Sequence, residues 1–297
     1  MQLGVVALRC QAGLLAGANA HIRALLILAA ENMPLILVTL WTVRQGHSAL
    51  AMGVVAGAYV AQLLGVLPAT ALLRPLVFNK NICTRLIPFH IIVGVCYFFF
   101  SIDAVWSRWD GLIFLLLAFA YATIVMKPFI LDRPPSAPLR QRNPAITLLL
   151  AVAAWIALGL GAVVSVFSTQ ALALRWHLSP AWLGLSWFAV ALVIPSLLAS
   201  ARAARSGQMA AAVGPVLQRS VLGLLLALGI SGTLLPFPIF GALHSPQTWD
   251  YWAVFLSGLL LLAAIGLKAP RRLGPEKSMG LLALWTLWLG LRFMNGY

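Results

Sequence analysis

Two charged side chains within apolar sequence are the residues of this chain most able to do chemistry. Glu31 lies between ILAA and NMPLIL, and Arg219 lies between VGPVLQ and SVLGLL. A carboxylate inside a membrane can bind a cation or a proton, whereas a guanidinium there can bind an anion or pair with a carboxylate. The other acidic residues lie at the ends of apolar stretches or between them: Asp103, Asp110, Asp132, Asp250 and Glu276. Glu31 is therefore the one candidate intramembrane carboxylate.

The elements that must hold these side chains are predicted to be transmembrane helices. Of the 297 residues, 62% are hydrophobic and only 9% are charged, which leaves too little polar surface for a soluble domain. A hydrocarbon core about 30 Å thick needs about 20 apolar residues per helix. The sequence offers such stretches at about 22–43, 49–72, 86–103, 111–131, 145–168, 180–201, 209–236, 248–267 and 278–294. It therefore predicts an all-α polytopic membrane protein with about nine transmembrane helices.

The basic residues are distributed as topology signals. The net charge is +14, but the 20 basic residues mostly separate the apolar stretches, which argues against nucleic acid as a partner. If the helices alternate across the membrane, thirteen basic residues fall on one side and four on the other, namely Arg44, Arg108, Arg175 and Arg292. Because cytoplasmic loops are enriched in Lys and Arg, this asymmetry predicts a multi-pass protein of the cell inner (plasma) membrane. Its N-terminus is predicted to be cytoplasmic and its C-terminus external.

The chain contains a weak internal repeat at an offset of 161 residues. Five landmarks coincide, since Pro34, Arg44, Gly46, Gly53 and Pro75 fall on Pro195, Arg205, Gly207, Gly214 and Pro236. The two copies begin on opposite sides of the membrane, so inverted-topology repeats are predicted. The predicted organisation is a first repeat at 1–131 with four transmembrane helices, a basic, proline-rich cytoplasmic linker at 132–144, and a second repeat at 145–297 with five.

The two copies resemble the α-repeats of the cation/calcium exchanger superfamily, which includes the sodium/calcium exchangers. The family pattern runs Gly-Thr-Ser-x-Pro-Glu, then an Arg/Lys-Gly turn, then Gly-Asn-x-x-Gly-Ser-Asn. The stretch MPLILVTLWTVRQGHSALAMGVVAGAYVAQLLGVL is similar to the first α-repeat, and IPSLLASARAARSGQMAAAVGPVLQRSVLGLLLALG is similar to the second. The resemblance implies ten helices in a five-plus-five arrangement, of which the first is truncated here, and it implies secondary transport.

The resemblance also locates a candidate site between the repeats. Family members place there a proline-adjacent glutamate and Asn or Ser oxygens, and Ca²⁺ requires roughly six to eight oxygen ligands. In this sequence the glutamate positions hold Leu35 and Ser196, and the Asn positions hold Val54, Tyr59, Pro215 and Ser220. The resemblance therefore implies that the family's Ca²⁺ and Na⁺ ligands are lost, and no metal or cofactor is expected. The candidate core site residues are Glu31, Asn32, Pro34, Gln62, Pro195, Ser196, Arg219 and Ser220.

Two interpretations of the core charges remain open. In the first, Glu31 and Arg219 meet across the interface between the repeats, and the guanidinium occupies the space of the lost cation. In the second, Arg219 lies nearer the membrane surface and snorkels, while Glu31 is neutral or faces a water pocket. Outside this site, His90 is interpreted as a packed, hydrogen-bonded residue rather than a ligand. Trp106, with four other tryptophans at the edges of apolar stretches, is interpreted as an interfacial anchor.

Two functions are compatible with the sequence. The first is a divergent secondary transporter that moves a proton, a monovalent cation or an anion through a rebuilt site. The second is a transport-inactive structural or accessory subunit of a membrane complex. No catalytic constellation or cofactor motif is present, so an enzyme is not expected. The expected partners are the lipid bilayer, a small ion or proton under the first hypothesis, and other membrane subunits under the second.

Overall fold

The computed structural model describes residues 20–125, 144–239, 248–266 and 271–294. Within these ranges the chain forms nine long helices: α1 Ala20–Arg44, α2 Ser48–Leu73, α3 Ile82–Phe100, α4 108–125, α5 Pro144–Trp176, α6 Pro180–Arg205, α7 Met209–Leu234, α8 Thr248–Ile265 and α9 Pro275–Met294. Each helix overlaps one predicted apolar stretch. The largest difference is at α5, which extends to Trp176 instead of ending near residue 168. The predicted linker, apart from Pro144, and the truncated first helix lie outside the described residues.

Several of these helices are long and apolar enough to cross a membrane by length and composition. Among the described residues, α2, α3, α6, α7 and the segment Ile156–Trp176 of α5 meet this condition, and α8 contains a shorter apolar helix. Helices suit hydrocarbon because their backbone hydrogen bonds are satisfied within the segment. The fold is therefore all-α and polytopic, while the number of spans stays a prediction.

Two tight turns join helices that are related by the offset of 161 residues. Gly46 connects α1 to α2 with φ of +77°, and Gly207 connects α6 to α7 with φ of +83°. A positive φ is readily adopted only by glycine, so each turn depends on its glycine. The helices that follow, Ser48–Leu73 and Met209–Leu234, are both 26 residues long.

Two short antiparallel ribbons lie in the loops between helices. Strand β1 (Leu76–Val77) pairs with β4 (Arg272–Leu273), and β2 (Val105–Trp106) pairs with β3 (Phe237–Pro238). The offset of 161 residues places β1 on β3. Each ribbon thus joins a loop of the N-terminal half to a loop of the C-terminal half. This pattern is the one that two repeats related by a two-fold axis would produce, although the repeat organisation itself stays a prediction.

Prolines and π-helical segments interrupt the helices that position the candidate site. Pro34 lies inside α1 and Pro195 lies inside α6. Each proline lacks an N–H, so the carbonyl of the residue four positions earlier loses its helical hydrogen bond. A π-helical segment occupies Ala61–Val66 of α2, and another occupies Gly184–Phe188 of α6. Irregular backbone of this kind is frequent at functional sites within helices.

The core is built around α2, which is buried along nearly its entire length, whereas much of α5 is exposed. Trp106 belongs to this core. It is fully buried, and its Nε1 donates a hydrogen bond to the carbonyl of Leu228 on α7 at 3.2 Å. Its interpretation as an interfacial anchor was therefore wrong, because β2 folds the loop before α4 back against α7. The other four tryptophans are exposed, at Trp109, Trp176, Trp249 and Trp252.

Glycines allow α2 and α6 to pack backbone against backbone. A Cβ added at Gly53 would lie 2.3 Å from the carbonyl oxygen of Ala181, and one at Gly57 would lie 2.6 Å from that of Leu185. On α6, a Cβ at Gly184 would lie 2.9 Å from the carbonyl oxygen of Leu50. Contacts this short exclude any side chain at these three positions.

Candidate functional site

Glu31 and Arg219 form an ion pair in the middle of the helical assembly. The Nη2 atom of Arg219 on α7 donates to Oε2 of Glu31 on α1 at 2.8 Å. The Nη1 atom of the same guanidinium donates to the hydroxyl of Ser196 on α6 at 2.5 Å. The side chains of Glu31 and Arg219 are only 4% and 16% exposed. The first of the two interpretations of the core charges therefore describes the contact that the structure contains.

The interrupted helices bring these three side chains together. Glu31 precedes Pro34 by three residues in α1, and Ser196 directly follows Pro195 in α6. Both residues thus lie beside the break in their helix, and α7 presents Arg219 between them. The guanidinium has several donors in a fixed fork, so one side chain can bind a carboxylate and a hydroxyl at once.

Asn32 of α1 lies against Gly223 of α7, one turn further along α7 than Arg219. Its side chain is 2% exposed, and a Cβ added at Gly223 would lie 2.8 Å from its Oδ1. Gly223 follows Arg219 by four residues, so both positions share one face of α7. The absence of a side chain at Gly223 therefore makes the room that Asn32 occupies beside the ion pair.

Ser220 lies beside His90 and not in the ion-pair site of its neighbour Arg219. Its Oγ lies 3.0 Å from Nε2 of the buried His90 and 2.9 Å from the carbonyl of Leu217, and its single proton can be donated to only one of these two acceptors at a time. His90 Nδ1 lies 2.8 Å from the carbonyl of Leu86 and must be the donor there. Tyr59 donates to the carbonyl of His90 at 3.2 Å. His90 is thus hydrogen-bonded within the core as predicted, but its pairing with Ser220 was not foreseen.

Gln62 lies in the π-helical segment of α2. It is 4% exposed, and its Oε1 has no hydrogen-bond partner among the described residues. The structure therefore brings together Glu31, Ser196 and Arg219, with Pro34 and Pro195 beside them in their helices. It places Asn32 against Gly223 and Ser220 beside His90, and it buries Gln62 within α2.

A second buried ion pair was missed by the sequence analysis. Arg292 in the last turn of α9 donates to Oδ2 of Asp250 in the first turn of α8. Both residues are almost fully buried, at 2% and 6% exposure. Charges at helix ends are ordinary in membrane proteins, so their positions alone gave no signal. The available clue was an acidic residue at the start of α8 and a basic residue at the end of α9, because each charge interacts favourably with the dipole of its own helix.

The Glu31 site contains a single carboxylate among the described residues. Hard cations require several carboxylate and carbonyl oxygens, and among the described residues no three His, Cys, Asp or Glu side chains cluster together. Glu31 supplies one carboxylate, and the guanidinium of Arg219 already donates to it. The cluster is chemically an internal ion pair with a hydroxyl and an amide beside it.

An all-α, polytopic architecture with a charged pair between interrupted helices defines a membrane protein of the transporter class. Comparison with known families agrees. The sequence pattern of the family described as "Sodium/calcium exchanger protein" matches residues 8–127 and 145–294. Because the match covers most of the sequence, the chain belongs to the sodium/calcium exchanger family.

Curated relatives are distant. The chain is 25% identical over 250 residues to "Putative antiporter CaxA" of Alkalimonas amylolytica, a match that covers 81% of this chain and 78% of that protein. It is 23% identical over 274 residues to "Inner membrane protein YrbG" of Escherichia coli (strain K12), which covers 88% and 82% of the two chains. These names describe antiport and an inner-membrane location for the relatives themselves.

Solved structures share the fold. The crystal structure of the H⁺/Ca²⁺ exchanger CAX superposes with a TM-score of 0.68 at 13% identity, covering 99% of this chain and 82% of that one. A structure of the sodium-calcium exchanger NCX_Mj superposes with a TM-score of 0.64 at 19% identity, covering 97% and 93%. The predicted family and the predicted all-α, polytopic membrane fold are confirmed, and the family is one of exchangers rather than of enzymes.

Proposed function

We propose that this protein is a divergent membrane transporter of the exchanger family in which the guanidinium of Arg219 has replaced the family's bound cation. The single observation that supports this proposal is the contact of Arg219 with both Glu31 and Ser196. Ser196 stands at the position where the family pattern has a glutamate. The same guanidinium therefore contacts the core carboxylate and the residue that took the place of the second one.

Electrostatics favours exclusion of divalent cations from this site. Two positive unit charges about 4 Å apart repel each other by about 4 kcal/mol at an effective dielectric constant of about 20, and a divalent ion would feel about twice as much. Neutralisation of Glu31 removes the attraction that would offset this cost. The substrate of the rebuilt site is then a proton, a monovalent cation or an anion, and not Ca²⁺.

The predicted architecture belongs to the same proposal. Inverted repeats at 1–131 and 145–297, joined by a cytoplasmic linker at 132–144, would let the two halves rock around the site. The equal lengths of α2 and α7 and the reciprocal ribbons β1–β4 and β2–β3 support it. The basic-residue asymmetry supports a plasma-membrane protein with an external C-terminus.

A second candidate function rests on the same contact. Because a guanidinium fixed on Glu31 leaves no vacancy for a cation, the fold would also suit a transport-inactive subunit that binds other membrane proteins through its surface. This alternative predicts that the purified protein carries other chains in mild detergent and mediates no flux when alone.

Reconstitution in proteoliposomes tests the proposal. The wild-type protein is expected to take up no radioactive Ca²⁺ against either a Na⁺ or a proton gradient, with a calcium-transporting family member as the positive control. Uptake of Ca²⁺ by the wild-type protein would refute the proposal. Flux of protons, Na⁺, K⁺ or small anions that is lost in the variant Glu31→Gln/Arg219→Leu supports the transporter, whereas absence of every flux supports the accessory subunit.

A gain-of-binding variant gives an independent arm. Arg219→Ser restores the residue type that the family pattern has at this position and removes the guanidinium from the Glu31 carboxylate. Its thermal midpoint is expected to rise with Na⁺ or Ca²⁺ concentration, because a ligand that binds only the folded state stabilises it. The exposed Arg175 provides the matched control, since Arg175→Ser removes the same charge and should show no cation-dependent stabilisation.

A further inference from the structure

A cavity lies where several helices end on the face of the protein that carries the last turn of α9. The residues that line it come from the starts of α2, α6 and α8 and from the end of α3: Ala49, Met52, Gly53, Tyr97, Ala181, Ile239, Asp250 and Tyr251. We name this feature the α9-side cavity. The helix directions place it on the side opposite the ribbon β1–β4.

The floor of the α9-side cavity is the close contact between α2 and α6. Gly53 and Ala181 line the cavity and also touch each other through their backbones. Gly57 continues this contact one turn further along α2, towards the centre of the protein. No side chain stands between the two helices here, so their separation by a few ångströms would open the cavity towards the core.

The start of α6 is attached to the last turn of α9. The Nε1 atom of Trp182 donates to the carbonyl of Leu289 at 3.2 Å, and its ring lies 5.1 Å from that of Phe293. Trp182 directly follows Ala181, the residue in contact with Gly53. Movement of the end of α9 would therefore move the start of α6.

The end of α9 is in turn attached to α8 by the buried pair of Arg292 and Asp250. Tyr251, next in the chain to Asp250, packs edge to face on Tyr97 of α3 with ring centroids 5.7 Å apart. A continuous series of contacts thus runs from α3 through α8 and α9 to α6 around the mouth of the cavity. The ion pair is the charged link in this series.

We infer that the Asp250–Arg292 pair is the latch of a closed gate at the α9-side cavity. With the pair intact, α9 holds Trp182 and the start of α6 down on the glycine face of α2. When the pair opens, α9 and α6 can leave α2 together, and water reaches Met52 and Gly53. This inference rests on the proposed transport function, because an alternating-access transporter requires such a gate on each face.

The latch uses charges that the helices themselves stabilise. Asp250 lies in the first turn of α8, whose N-terminus favours an anion, and Arg292 lies in the last turn of α9, whose C-terminus favours a cation. Asp250 lines the cavity, and its buried Oδ1 atom has no hydrogen-bond partner among the described residues. Water that enters the cavity could therefore hydrate this carboxylate, which would couple hydration to opening of the latch.

Cysteine accessibility tests the latch in the full-length protein in native membranes. Met52→Cys is introduced after replacement of Cys10, Cys83 and Cys96, and its rate of reaction with a membrane-impermeant maleimide is measured from each side. Asp250→Asn and Arg292→Gln are each expected to raise this rate at least tenfold from the side of the C-terminus. The charge swap Asp250→Arg/Arg292→Asp should return the rate towards that of the parent.

Two controls separate the latch from general loss of structure. Arg175→Gln changes an exposed arginine near the end of α5 and should leave the rate unchanged. Ala71→Cys, a fully buried position at the opposite end of α2, should stay unreactive in all variants. Unchanged labelling of Met52→Cys in both single variants would overturn the latch, and so would labelling of Ala71→Cys to the same extent. Labelling requires no flux, so failure of the latch is distinguishable from failure of the proposed function.

Discussion

Removal of both partners of the Glu31–Arg219 pair should destabilise the protein by much less than the sum of the two single removals. The contact is a charged hydrogen bond of 2.8 Å between side chains that are 4% and 16% exposed. Loss of one partner of a buried pair typically costs about 3–5 kcal/mol, because the remaining charge is left without compensation in a medium of low dielectric constant. Glu31→Gln leaves the guanidinium in this position, and Arg219→Leu leaves the carboxylate.

The double variant Glu31→Gln/Arg219→Leu removes both charges together. Its cost is expected to be smaller than the sum of the two single costs by at least about 2 kcal/mol, since residues in direct contact are not additive. Part of the cost of Arg219→Leu will remain, because its hydrogen bond to the hydroxyl of Ser196 is lost as well. Hydrogen bonds to charged groups contribute about 1.5–3 kcal/mol.

The measurement is an unfolding titration in mixed micelles, followed by the fluorescence of the 11 tryptophans. The exposed Arg175 supplies a control, because Arg175→Leu removes a similar charge from the surface and should change the unfolding free energy by less than about 0.5 kcal/mol. Strictly additive single and double variants would falsify the energetic coupling of Glu31 and Arg219. Additivity would mean that the double variant loses as much unfolding free energy as the two single variants lose together.

Three further predictions follow from the packing and the topology. Gly53→Ala should destabilise the protein by more than about 1–3 kcal/mol in a thermal melt, because the new methyl group meets the backbone of Ala181. Gly214→Ala is the control and should be tolerated, because no described atom lies within 4 Å of the added methyl group. Ser220→Ala leaves Nε2 of the buried His90 without its partner and should cost about 1–3 kcal/mol in the unfolding titration, while Ser206→Ala on the surface should cost little. A reporter enzyme that works only outside the cytoplasm should be active when it is fused after Tyr297. Activity of a reporter that works only inside the cytoplasm would contradict the predicted orientation.

The sequence predicted the helices well because each one overlaps a long apolar stretch, and most of these stretches end near a glycine turn, a proline or a basic residue. It also offered the contact of Glu31 with Arg219 as one of two open interpretations, since a charge within hydrocarbon needs a partner or access to water and both residues map onto helices of the resembling family. These two inferences depended on local composition and on one repeat offset, which are visible in a single sequence.

Other contacts could not be predicted because they depend on how each helix is rotated about its axis. Nearly every residue of α2 and α7 is apolar or small, so no periodic pattern indicates which face meets which neighbour. The pairing of His90 with Ser220, 130 residues apart, follows only from this rotation. Trp106 was misjudged for a related reason, since a two-residue strand turned its ring inward and no sequence pattern indicates that ribbon.

Under the proposed function, the substitution of a cation by an arginine would explain how this fold persists after a change in its ion chemistry. A core carboxylate without a counter-charge would destabilise the helices around it, whereas a guanidinium supplied by α7 keeps the core neutral without any ion. The two charges come from different halves of the chain, with Glu31 in the first and Arg219 in the second. Under the predicted repeats their counterparts at the offset of 161 are Leu192 and Ala58, which carry no charge. Inverted-repeat transporters open alternately to the two sides as their halves move against each other. A site whose charges are distributed unequally between the halves gives these two states different energies, so the ion pair would favour one of them even when nothing is bound.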